Sequence, residues 1–304
     1  MKKILSYCVY ILFLSGCDYA SYVSTFEVPY QPKIVVGGIF APYKSWNISI
    51  KKSTSLPSKT VSSQNKSENI PDAEVQLFEN GQFIDRLVFD VQKEAFYSSK
   101  NHLPLPGKKY KIIVSAIGLP TATAETSVPF QSTVEAFNYV FENEVSLKNK
   151  NGSISFSIDD VANQRDFYQI SFFSLDGTVS HTLSIKDNHI IANLDAFDRL
   201  SNYDKGQYSC YSCSFSDIFF NGNKHEFDFG IVPLQSSEKT TSRPHKIVVR
   251  QMGEDLHLFL KSQEKQSVSQ GDPLSGLTVV QSNVNGGLGV FAAFYSTEYS
   301  LLID

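Results

Sequence analysis

Apolar and polar residues alternate at every second position through most of this chain, and a helical period is confined to one segment. Residues 33–40 (Lys-Ile-Val-Val-Gly-Gly-Ile-Phe) are β-rich, and residues 46–51 set Trp46, Ile48 and Ile50 against Asn47, Ser49 and Lys51. A period of two predicts strands with one buried face. Residues 52–70 are Ser, Thr, Lys and Asn with one proline, which reads as a solvated loop. Residues 73–78 and 83–89 alternate again and are joined across Asn80-Gly81, the dipeptide favoured in a two-residue hairpin turn. Pro106-Gly107 predicts a further turn and residues 110–116 a further strand. Six or seven short strands between 33 and about 130 are the pattern of a small immunoglobulin-like or transthyretin-like β-sandwich.

The second half is patterned as β as well. Strands are predicted at 136–147, 152–158, 190–194, 207–215 and 245–251. A hairpin is predicted between 167–173 and 178–185, across Asp176-Gly177. Residues 219–229 bend at Asn221-Gly222-Asn223. Residues 254–266 carry Leu256, Phe259 and Leu260 on one helical face, which predicts an amphipathic helix docked on the body. A final strand ends near Leu302. The fold class expected is therefore mainly β: a sandwich over 33–132, then a second antiparallel β domain over 133–304 with one short helix near the C-terminus.

The N-terminus follows a different rule. Lys2 and Lys3 precede an apolar run, residues 4–14, that is shorter than the roughly 20 residues needed to span a bilayer. It ends in Leu14-Ser15-Gly16-Cys17, the motif of a bacterial lipoprotein signal. Residues 1–16 are expected to be removed and Cys17 to be the lipid attachment site. Acyl chains add about 0.8 kcal/mol per buried methylene, so several of them anchor stably. Residues 17–32, with Pro29 and Pro32, form the tether.

Charge and cysteine content narrow the function. The net charge is −4, and it becomes −6 without Lys2 and Lys3. That balance gives no reason to expect nucleic acid or anionic lipid as a partner. The 23 Phe and 15 Tyr suit strands. With Cys8 in the signal and Cys17 lipidated, only Cys210 and Cys213 remain. Their Cys-x-x-Cys spacing allows a redox centre, half of a zinc site, a local disulfide or two free thiols. No helix start favours a redox thiolate, and no second ligand pair favours zinc, so a structural disulfide or unpaired thiols are expected.

No catalytic constellation emerges. His102, His181, His189, His225, His245 and His257 form no metal-spaced pair on one element. There is no Gly-x-Ser-x-Gly elbow. Asp159-Asp160 and Glu142/Glu144 read as solvated surface pairs. Gly286-Gly287-Leu288-Gly289 leads into a strand, so it reads as close packing of the terminal strand and not as a phosphate cradle. No enzyme activity, cofactor or metal is expected.

Several stretches together resemble the Bacteroidota outer-membrane lipoproteins grouped as domain of unknown function 4249. They are Pro32-Lys33-Ile34-Val35-Val36-Gly37-Gly38, Pro71-Asp72-Ala73-Glu74-Val75-Gln76-Leu77 and Pro106-Gly107-Lys108-Lys109-Tyr110-Lys111-Ile112. The closing block is Phe259-Leu260-Lys261-Ser262, Gly271-Asp272-Pro273, Ser282-Asn283-Val284 and Gly286-Gly287-Leu288-Gly289-Val290-Phe291. Leu274 stands where the family usually has Phe. The resemblance implies no recognised catalytic residues and frequent co-encoding with TonB-dependent transporters. The expectation is thus an outer-membrane lipoprotein, held to the membrane by its N-terminal lipid, that acts as accessory or ligand-binding partner of such a transporter. The alternative is a structural or adhesive surface lipoprotein that binds protein or glycan without transport.

Overall fold

The computed structural model describes residues 30–54, 68–141, 152–174, 181–186, 203–204, 207–210, 212–233, 243–269 and 279–303. Cys17, Glu142, Glu144, His189 and the predicted strand at 190–194 lie outside these residues. The chain divides into two compact units, and the one formed by 33–53 and 67–304 holds every strand and the helix described below.

Strands run in chain order as β1 (Ile34–Phe40), β2 (Ser49–Lys52), β3 (Glu68–Asn69), β4 (Glu74–Glu79), β5 (Gln82–Asp90), β6 (Ala95–Tyr97), β7 (Lys109–Ser115) and β8 (Ala122–Ser127). Next come β9 (Thr133–Phe141), β10 (Gly152–Asp159), β11 (Phe167–Ser174), β12 (His181–Lys186), β13 (Tyr203–Asp204), β14 (Gln207–Cys210) and β15 (Ser212–Ser216). The chain closes with β16 (Lys224–Pro233), β17 (Arg243–Met252), helix α1 (Glu254–Ser269) and β18 (Leu288–Ile303). The fold is mainly β, with several antiparallel sheets and, among the described residues, one helix near the C-terminus.

The described strands form three sheets. A seven-stranded sheet has the order β15-β11-β17-β18-β1-β2-β3, a six-stranded sheet β13-β14-β12-β16-β10-β9, and a five-stranded sheet β6-β5-β4-β7-β8. The long sheet is the common wall. Its β1–β2 end faces the five-stranded sheet across a core of Ile34, Val36, Phe40, Trp46, Val75, Leu77, Tyr110, Ile112 and Val114. Its β11–β17 end faces the six-stranded sheet across a core of Ile154, Phe156, Tyr168, Ile170, Phe172, Phe227, Phe229, Ile247 and Val249.

Strand β18 joins the two halves. Its first residues pair in parallel with β1, from Val35 with Leu288 to Phe40 with Ala293. Its remainder pairs antiparallel with β17, from Met252 with Phe294 to Arg243 with Ile303. Alternation puts Phe291 and Ala293 in the first core and Tyr299 against the second. The opposite face carries Val290 and Ala292, which pack with Leu256, Phe259 and Leu260 of α1. The helix face read from the sequence is the one that docks.

The first sandwich is closed at both sides. The backbones of Ile48 and Phe96 exchange hydrogen bonds of 3.0 and 2.8 Å, and those of Thr123 and Asn285 exchange bonds of 2.9 and 2.8 Å. Sheet edges left unpaired invite association, and these bridges cap two of them.

Several predicted elements are found. The β4–β5 hairpin turns on Asn80 and Gly81, both with positive φ, 48° and 81°. Such a turn matches the twist of the flanking strands. The described residues of 33–130 hold eight strands against the six or seven expected, and β3 lies inside the segment read as a loop. Trp46 precedes β2 but is buried, its ring centroid 4.6 Å from that of Phe40.

One predicted pairing and one predicted strand are corrected. Strands β11 and β12 do not form a hairpin: β11 lies between β15 and β17 in the long sheet, and β12 pairs with β14 and β16 in the six-stranded sheet. Strand β11 buries residues on both faces, Tyr168, Ile170 and Phe172 on one and Phe167 and Ser171 on the other, as a sheet-interior strand must. The predicted single strand 207–215 is also two strands, β14 and β15, which belong to opposite sheets on either side of residue 211.

Candidate functional site

The densest polar chemistry is buried where the second sandwich begins. Three segments meet there: the turn after β10, residues 160–166; the turn between β15 and β16, residues 217–223; and the linker after β8, which ends at Ser132. Each turn supplies aspartates. Asp160, Asp166 and Asp217 are only 7%, 1% and 1% exposed, and one oxygen from each lies within 4.8 Å of the others. Asp159 remains outside on the surface. The surface reading of the Asp159-Asp160 pair is therefore corrected for Asp160, because the chain turns inward immediately after β10.

Donors from the chain itself surround these carboxylates. Tyr168 donates its hydroxyl proton to Asp160, and the Gly222 amide donates to the other Asp160 oxygen at 2.8 Å. Gln164 Nε2 and Gln251 Nε2 donate to the two oxygens of Asp166 at 2.6 and 2.7 Å. The Asp166 amide and Asn221 Nδ2 donate to Asp217 at 2.8 and 2.9 Å. The network reaches back to the linker. Gln251 Oε1 accepts from the Ser132 amide at 2.7 Å, and the Ser132 and Tyr168 hydroxyl oxygens are 2.6 Å apart. Since the Tyr168 proton goes to Asp160, Ser132 is the donor in that contact.

Burial sets the electrostatics. It raises Asp160 and Asp217 above the ordinary carboxylate range and pushes Asp166 up to about 6, with neighbouring carboxylates adding to each shift. Burial and the adjacent Asp160 likewise raise Tyr168, so it stays a donor. Among the described residues no Lys, Arg or His forms an ion pair with any of the three. A hard cation such as Ca²⁺ takes six to eight oxygens. Three carboxylates could contribute to such a shell, but here each already accepts hydrogen bonds from the chain. The arrangement is a network that ties two turns and the linker after β8 together.

The pH dependence follows from the direction of these shifts. Asp166 binds a proton more readily folded (about 6) than at its ordinary value of 3.8. Between those values the folded state holds the extra proton, so this group's contribution to stability rises as pH falls from 7.5 toward 5. His257 opposes it: buried and stacked on Phe167, it is lowered to about 4, so its contribution is lost as pH falls below 6.5. Asp166→Asn separates the two. The variant's stability relative to the parent is expected to fall by about 1 kcal/mol between pH 7.5 and 5, a figure discounted for partial solvent screening. Urea unfolding at both pH values measures it; a difference that does not change with pH refutes the assignment.

The residues singled out in the sequence are dispersed. Cys213 is buried and disulfide-bonded; the side chain of Cys210, the expected partner, lies outside the described residues. His102 sits 3.1 Å from Glu79, which also accepts from Tyr110 at 2.8 Å. His225 stacks on Phe220 in the second core. His257 Nδ1 lies 2.8 Å from the Ser214 hydroxyl. The side chains of His181 and His245 lie outside the described ones. The junction itself was missed, since Ser132 and Gln251 are 119 positions apart. The one local signal was polar: Asp217 followed by Asn221-Gly222-Asn223.

These features define a β-sandwich-like protein with a buried carboxylate network where its second sandwich begins. The chain belongs to the family described as Domain of unknown function (DUF4249), whose model matches residues 23–300. No curated protein matches the chain. One similar solved structure is described as "The Enterococcus faecalis MSCRAMM ACE binds its ligands by the collagen Hug Model". It is 8% identical, the match covers 89% of this chain and 94% of that one, and the TM-score is 0.19. A likeness at that level carries no argument about this protein.

Proposed function

We propose that the protein is a non-enzymatic, lipid-anchored component of the bacterial envelope that serves as accessory or ligand-binding partner of a TonB-dependent outer-membrane transporter. The observation that carries the anchor is Leu14-Ser15-Gly16-Cys17, with the family match beginning at residue 23, a few positions beyond the cysteine. A binding role is supported by the frame: β sheets hold loops rigidly, and such loops commonly make contacts with partners. A non-catalytic role is supported by the junction carboxylates, which are buried and engaged with the chain's own donors. The transporter partner rests on the co-encoding that the family resemblance implies.

The test is a mild-detergent pull-down of the tagged lipoprotein from native outer membranes, read by mass spectrometry. Near-stoichiometric recovery of a TonB-dependent barrel is the expected result. Recovery of the lipoprotein alone from well-solubilised membranes refutes a stable transporter complex and moves the reading to a structural or adhesive role.

A further inference from the structure

The first sandwich has a leading end, where the chain enters the body, and a far end. β1 starts at Ile34, opposite Lys52 of β2 and beside Leu288 of β18. The β7–β8 turn, residues 116–121, lies at this same end: Val114 pairs with Ala122, and Thr123 is bridged to Asn285, three residues before β18 begins. The β5–β6 turn lies there too. β5 passes the start of β4, with Leu87 opposite Val75, and Asn69 Nδ2 reaches Glu94 at 3.3 Å.

Each of these two turns carries an aliphatic side chain set out in solvent. Ile117 is 95% exposed and Val91 is 79% exposed. Residues 115–124 read Ser-Ala-Ile-Gly-Leu-Pro-Thr-Ala-Thr-Ala and contain no charge. An isolated exposed aliphatic is ordinary. Two extreme ones on turns at the same end of one sheet, one of them in an uncharged hairpin, are not explained by the packing of this body. The rest of the molecule extends the other way. After its pairing with β1, β18 continues for ten residues into the second sandwich, away from the leading end.

We infer that the leading end of the first sandwich, with Ile117 on its β7–β8 turn and Val91 on its β5–β6 turn, rests on and partly enters the membrane surface to which the chain is anchored. The inference depends on the lipid anchor at Cys17. The occupant follows from where the chain goes. Body and anchor are separated by residues 17–33, a span of at most about 55 Å when fully extended, and the chain enters the body at the tip that bears these side chains. The β7–β8 turn is short and uncharged and suits the interface between headgroups and acyl chains, where apolar side chains enter by roughly 5–10 Å, while Asp90, Lys93 and Glu94 around Val91 stay at headgroup level. Docking there would set the orientation of the body, with the second sandwich held outward to meet a partner.

The test uses the full lipidated chain in vesicles of dioleoylphosphatidylcholine, with or without brominated acyl chains. The native Trp46 is 2% exposed in the first core and serves as an internal constant. Ile117→Trp places a reporter at the leading tip. Phe83→Trp, at a residue 53% exposed beside the β4–β5 turn, places one at the far end, roughly 20 Å away along a seven-residue strand. Bromine is expected to quench the emission added by Ile117→Trp by roughly half, as befits interfacial insertion, and to leave that added by Phe83→Trp unchanged. Vesicle flotation with no quenching of Ile117→Trp, or with equal quenching of both, overturns the docking. Failure of the lipidated chain to float overturns the anchor reading, and the docking with it.

Discussion

Gly289→Val is expected to destabilise the protein by roughly 3–5 kcal/mol, because the position combines a left-handed backbone with no room for a side chain. Gly289 has φ +103°, and a β-carbon there would lie 2.0 Å from the Val36 carbonyl oxygen. Val36 and Gly289 are paired neighbours in the parallel β1–β18 ladder. The neighbouring atom is backbone and cannot swing aside, so the substitution must push two strands apart. The strands concerned are the ones through which the C-terminal segment completes the first core, beside Phe291 and Trp46. Urea unfolding followed by the fluorescence of the one tryptophan, Trp46, measures the loss. The control is Gly81→Ala, where φ is also positive (+81°) but nothing lies within 4 Å; backbone conformation alone there costs about 1 kcal/mol. Equal losses at the two sites would show that the β1–β18 contact contributes nothing beyond backbone preference.

Gln251→Leu is expected to cost about 2–4 kcal/mol, nearly all of it from what is left behind. The side chain is 4% exposed and makes two bonds in opposite senses, donating to Asp166 and accepting from the Ser132 amide, both at 2.7 Å. Leucine fills a similar volume but supplies neither partner. A buried amide and a buried carboxylate oxygen are then orphaned at once. The Gln251 bond also holds the Asp166 carboxyl down against burial, so its loss shifts Asp166 further upward. The penalty is therefore expected to be larger at pH 7.5, where the carboxylate must be charged, than at pH 5. Unfolding curves at the two pH values provide the check. A penalty independent of pH would mean that Asp166 does not share the proton equilibrium assigned to it.

Both substitutions touch contacts between residues far apart in the chain, and such contacts were the least legible in the sequence. The Asn80-Gly81 hairpin was read correctly because its turn chemistry and its two alternating strands are contiguous. The docking face of α1, Leu256, Phe259 and Leu260, was read for the same reason. The β11–β12 pairing was misread although Asp176-Gly177 is a good turn dipeptide. A period of two reports that a strand has a buried face but not which neighbour or which layer receives it. The division of 207–215 into β14 and β15 escaped for a related reason: alternation continues across the point where the chain leaves one sheet for the other. At the junction, Asp160 looked like a surface residue because the inward turn after β10 is set by partners such as Tyr168 and Gly222, one of them 62 positions away.

The sequence by itself determined the β character of the chain, its docked helix α1 and the family to which it belongs, through residue properties that act locally: alternation, turn dipeptides, a 3.6-residue period and short ordered motifs. Only the tertiary structure decided that β18 serves both sandwiches, that Asp160, Asp166, Asp217, Gln251, Tyr168 and Ser132 meet in one buried network, and that Ile117 and Val91 share a tip with the start of β1. The physical reason is common to all three. Strand pairing and burial are chosen by the free energy of the whole packed body, in which a residue's partners are set by sheet order and layer and not by its distance along the chain.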